Sequence, residues 1–142
     1  MGTSDLLDAI HSSLSPQMAE RGFGPGGPGW SPDGGASFLY CIGAQEFAGR
    51  YPSTLDLLRT RTEIKLDEPS WCLDFVIKGS PSGEVERLDF EFVRLDTLLE
   101  AADHDRLARE CRIDELRKLR GGEVVARITE AVSILMPIES GN

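Results

Sequence analysis

Residues 71–93, WCLDFVIKGSPSGEVERLDFEFV, decide the fold. From Trp71 to Lys78 the side chains alternate. Trp71, Leu73, Phe75 and Ile77 share one face, while Cys72, Asp74, Val76 and Lys78 share the other, the period of two that a strand imposes. Gly79-Ser80-Pro81-Ser82-Gly83 then turns the chain, which returns over 85–93 with Leu88, Phe90 and Phe92 on one face. A loop this short cannot make a parallel crossover, so the pair is antiparallel. One face is apolar and the other charged, as in a sheet with one wet side.

Two registers fit this hairpin. One sets Asp74 opposite Asp89, and like charges across a ladder cost stability unless a metal or a basic partner meets them. The tighter one uses residues 79–82 as the loop and sets Asp74 opposite Arg87, a favourable pair. The tighter register is the expectation, and it leaves Asp74, Asp89 and Glu91 on an ordinary solvated face.

Upstream, Glu63 to Leu66 alternates and leads through Asp67-Glu68-Pro69-Ser70 into the hairpin, making a three-strand meander. Ser37 to Ile42 reads as a further strand, joined to Trp30 through the turn Pro32-Asp33-Gly34-Gly35. Residues 44–62 are ambiguous, although Pro52-Ser53-Thr54 suits the start of a helix carrying Leu55 and Leu58. At the N-terminus Ser4 caps a helix with Leu6, Leu7, Ile10 and Leu14 as its stripe; Ser15-Pro16 breaks it and opens a second short helix to Arg21, with Met18 on the same stripe. Downstream, Asp96 and Asp105 each cap a helix, residues 114–119 continue the second, and Gly121-Gly122 ends it. Glu123 to Met136 is the best helix, with Val124, Val125, Ile128, Val132 and Leu135 at helical spacing and Pro137 as its stop.

The sum is an α+β chain with one domain over 1–142. An antiparallel sheet of about four to five strands, hairpin plus meander, carries the N-terminal and C-terminal helices on one face. At 142 residues the chain is long enough to bury roughly 70% of its unfolded surface without a metal or disulfide.

A net charge of −9 excludes broad nucleic-acid binding and docking on anionic membranes. No apolar run approaches a membrane span and no basic leader is visible. Three widely spaced cysteines, Cys41, Cys72 and Cys111, suit a reduced, cytoplasmic setting. The charge is polarised: residues 69–100 hold seven acids against three bases, whereas 106–120 hold six bases against three acids. Either the two regions lie together and neutralise, or an acidic sheet face meets a cationic partner.

Motifs add little. Gly22-Phe23-Gly24-Pro25-Gly26-Gly27 matches GxGxxG, but a helix precedes it and none follows, so it is a connector and not a phosphate loop. His11 reads as a surface residue, and His104 with Cys111 matches no metal-ligand spacing. No nucleophile motif, cofactor motif or metal set is present. Arg117-Lys118-Leu119-Arg120 serves a helix C-terminus.

Three functional readings follow. The first is a non-catalytic protein-binding module, of the inhibitor or immunity type, whose acidic face at Asp74, Asp89 and Glu91 docks a basic protein. The second is a small-ligand binder with a pocket near Trp30, beside the glycine loop. The third, ranked last, is a carboxylate-dependent hydrolase, which needs those three carboxylates to converge in a cleft. Whether the 30–42 hairpin edge pairs with a second copy is left open.

Overall fold

The computed structural model describes residues 3–24, 28–30, 36–64, 72–79 and 85–138, with backbone alone at 3–6 and 28–30. Five strands, β1 (Pro28–Trp30), β2 (Ala36–Gly43), β3 (Cys72–Gly79), β4 (Val85–Phe90) and β5 (Val93–Arg94), form one antiparallel sheet in chain order. Two helices, α2 (Ala44–Arg50) and α3 (Pro52–Arg59), connect β2 to β3. The second begins at Pro52, whose fixed φ suits a first turn, and it buries Leu55 and Leu58 as expected. Glu63 and Ile64 lie outside any strand, and the rest of the expected strand and turn, with Trp71, falls outside the described residues.

Strand alternation sets the core. On β2 the residues Ala36, Phe38, Tyr40 and Ile42 are buried, and on β3 Leu73, Phe75 and Ile77 join them. The hairpin adopts neither expected register. Phe75 pairs with Phe90, Ile77 with Leu88, Val76 with Asp89 and Lys78 with Arg87. Apolar pairing decides this, because it sets aromatic against aromatic in mid-sheet, with the tilted Phe75 and Phe90 ring centres 5.8 Å apart. A like-charge pair, Lys78 and Arg87, is the accompanying cost. A bulge between Lys78 and Gly79 sets Val85 opposite Gly79 and leaves Glu86 as the extra residue. Val85 therefore faces inward three positions before Leu88, not two.

The return strand also stops early. Glu91 takes a left-handed φ of 57°, the chain turns through Glu91-Phe92, and Phe90 pairs with Val93 across the turn. Phe92 thus leaves the apolar face on which the alternation placed it, and is 79% exposed.

The N-terminal segment is one helix, α1 (Thr3–Glu20), and not two. Pro16 removes a single backbone donor, while Leu7, Ile10, Leu14 and Met18 remain fully buried along one stripe. Continuous burial outweighs the lost hydrogen bond. Next to the proline, the Gln17 amide donates to the Ser13 carbonyl at 3.0 Å. After β5 come α4 (Leu95–Ala101), α5 (Asp105–Glu110), α6 (Ile113–Leu116) and α7 (Gly121–Leu135). Gly121-Gly122 opens α7 instead of closing its predecessor, since α6 has already ended at Leu116. Glu123 accepts from the Arg120 N–H at 3.4 Å and so replaces a missing partner at the helix start. Contacts run from α1 to β2, β3 and α7, from α4 to β4 and α7, and from α6 to β4.

One buried cation ties the ends of α1 and α7 together. Arg21 is 2% exposed; its Nε donates to the Met136 carbonyl at 2.7 Å and its second guanidinium nitrogen to Ser133 Oγ at 3.1 Å. These groups lie at the C-terminus of α7, where a positive charge meets the negative end of the helix dipole. Burial holds the Arg21 pKa below its ordinary value. Tyr51 donates to the Arg21 carbonyl at 3.1 Å, and Thr54 donates to the Leu135 carbonyl, so α3 joins the same knot.

Candidate functional site

The wet side of the sheet carries the acidic residues singled out in the sequence. Val76 pairs with Leu39, and both are half-buried at the middle of that side. Towards the β5 edge, Asp89 is only 4% exposed, and its carboxylate is held by Arg87 two residues before it on the same strand. Arg94 of β5 lies opposite Asp89 in the ladder, and its guanidinium reaches Asp96 at 2.5 and 3.0 Å. Asp96, expected as a helix cap, sits inside the first turn of α4, where it also accepts the Thr97 N–H at 3.0 Å. Paired with Asp96 and close to the charges of Asp89 and Asp114, Arg94 has its pKa raised. Asp89 is therefore a neutralised structural carboxylate and does not present its charge.

Asp74 and Glu91 come together instead. The Glu91 N–H donates to the Asp74 carbonyl at 2.6 Å, placing Glu91 across from Asp74 at the turn. Burial pushes the Glu91 carboxyl pKa upward and the Asp74 charge adds to that rise, while a backbone hydrogen bond from Asp74 works against it. On the other flank Cys41 is the ladder partner of Asp74, and its thiol donates to Asp74 Oδ1 at 2.9 Å. Burial first, then that hydrogen bond and the carboxylate charge, push the Cys41 thiol up to about 12. Cys72, two residues from Asp74 on β3, is exposed. Phe92 projects from the turn beside Glu91. The result is an exposed aromatic ring at the turn, next in sequence to a carboxyl that feels the charge of Asp74.

The remaining sequence candidates fall elsewhere. Trp30 lies in β1, opposite Ala36, and its side chain lies outside the described residues. His11 is not a surface residue: it stacks on Phe38 with ring centres 4.5 Å apart, and its Nδ1 meets the Tyr40 hydroxyl at 2.8 Å. Burial raises the Tyr40 pKa. His104 is exposed and precedes α5; Cys111 is buried, and burial pushes its thiol up to about 12. Among the described residues no group of three His, Cys, Asp or Glu side chains is arranged to hold a metal ion. None of their helices is long and apolar enough to cross a membrane.

The acidic and basic segments of the chain are neighbours. A cleft of about 220 Å³ brings Arg87, Arg94 and Asp96 against Arg112, Ile113 and Asp114. Packing of α6 on β4 makes this contact. Phe92 is the residue that sequence reasoning missed, since strict alternation assigned it to the core. Its own strand carries no warning: the left-handed φ at Glu91 ends the period of two without a glycine to announce it. No protein-family model, curated protein or solved structure matches the chain.

Proposed function

We propose that this protein is a non-catalytic protein-binding module that docks a basic partner through the β4–β5 turn, with Phe92 as anchor and Asp74 and Glu91 as its charged flank. One observation carries the reading: Phe92 is a large apolar side chain left 79% exposed at a tight turn held in a left-handed conformation. A solvated phenyl ring contributes nothing to folding, whereas a ring inserted into a partner's pocket is the kind of anchor that dominates interface energy. The two adjacent carboxylates select for lysine or arginine around that pocket, and they make association sensitive to salt.

This narrows the docking surface. Asp89 belongs beneath it as the ion-paired support of Arg87, and the same pairing argues against a hydrolase built on all three carboxylates. The test is affinity capture with the wild-type chain and Phe92→Ala in parallel, at low and moderate salt, read by mass spectrometry. A basic protein retained by wild type, released by salt and missing from the variant supports the module. Identical capture by both chains, or none by wild type, contradicts it.

A further inference from the structure

A concave patch of about 340 Å³ on α5 and α6 is lined by Arg106, Arg109, Glu110, Arg112 and Glu115. Every lining side chain is ionic. Glu110 is already engaged by Arg127 at 2.6 Å, and Glu115 by Lys118 at 3.1 Å. Arg106, Arg109 and Arg112 are exposed and have no side-chain hydrogen bond or ion pair among the described residues. Arg106 and Arg109 stand three apart on α5, the spacing that brings side chains to one side of a helix, and Arg112 follows in the extended N-cap position of α6. Three arginines with unspent charge thus face one hollow, on a chain whose net charge is −9.

From this arrangement we infer that the patch is a binding site for a compact anion of two or more linked phosphates. Guanidinium groups match phosphate oxygens in a bidentate fashion. The lining offers no apolar side chain to a peptide, so a ligand that is all charge is the one that fits. A long nucleic acid would meet the acidic remainder of the surface. A compact ligand touches only the patch, and charges beyond about 8–10 Å are screened at physiological salt. The inference is independent of docking through Phe92.

Calorimetric titration with sodium tripolyphosphate, and with inorganic phosphate as the single-phosphate control, tests the site. The wild-type chain should bind tripolyphosphate, more tightly than phosphate and less tightly as salt rises. Arg106→Gln/Arg109→Gln/Arg112→Gln should weaken it about tenfold or more, with the lysine triple falling between. These side chains are exposed and have no partner among the described residues, so the variants should melt with the parent. Amide shifts of the wild-type chain during the titration give a readout that needs no variant, and they should centre on residues 106–115. The inference is overturned by no binding, by equal binding of the glutamine triple, by equal affinity for single phosphate, or by shifts centred elsewhere.

Discussion

The three cysteines are one residue type in three environments, and their chemistry should differ accordingly. Cys111 is buried and Cys41 is hydrogen-bonded to Asp74; the thiols of both are pushed up to about 12. Cys72 is exposed. Since the thiolate is the reactive form, a disulfide reagent at mildly alkaline pH should modify one thiol of the native chain rapidly, and Cys72→Ser should abolish that phase. Two fast phases in the wild-type chain would contradict the structure. The same shifts carry a sign for stability. Folding holds protons that unfolded thiols release above about 8.5, so this contribution is full below that pH and lost as the pH climbs towards 12. Glu91 bears two further costs, a left-handed backbone and a carboxyl pushed towards its neutral form. Glu91→Gln, which relieves the charge alone, should raise the urea midpoint slightly. Glu91→Asn, which also suits the left-handed conformation, should raise stability by about 1 kcal/mol. A lower midpoint for Glu91→Gln would show that the carboxylate stabilises the turn.

At the level of elements, what was legible followed from simple periods. The alternation of Leu73, Phe75 and Ile77 and the helical spacing of Ile128, Val132 and Leu135 both survive as buried faces. Pro52 opens α3 as its ring geometry suggests. What was not legible depended on contacts between elements. Pro16 stays inside α1 because Leu14 and Met18 are buried on either side of it, and local sequence records only the break. The hairpin register follows the pairing of Phe75 with Phe90, not the charge of Asp74. Arg21 carried no signal at all, because two of its three partners lie 112 and 115 residues away at the C-terminal end of α7. Its removal should be costly: Arg21→Ala leaves the carbonyl of buried Met136 without its guanidinium donor, a loss of about 2 kcal/mol. Arg21→Lys, with a point charge in place of a fork, should recover only part of it. Chemical denaturation checks both, and a near-neutral Arg21→Ala would remove this knot from the account.

Across the whole molecule, ion pairs form locally while the two charged segments keep their opposite signs. Arg87 with Asp89 and Arg94 with Asp96 pair inside the acidic segment, and Arg127 takes Glu110 from the basic one, so these pairs leave the polarity of the sequence standing. Two places concentrate the charge that these pairs leave over. One is the crowded pair of Asp74 and Glu91 beside Phe92, the other the arginine hollow on α5 and α6. An acidic face of three equivalent carboxylates was the sequence's version of the first. The docking surface proposed above is smaller and centres on an aromatic ring, where most of the binding energy would then reside. The most direct measurement is therefore the affinity of the captured partner for wild type, Phe92→Ala and Asp74→Asn/Glu91→Gln across a range of salt. The account predicts a loss of about 30-fold or more for Phe92→Ala at every salt concentration. It predicts a smaller loss, with a flattened salt dependence, for the double charge variant. Wild-type affinity in Phe92→Ala, with unfolding midpoints unchanged, would contradict it.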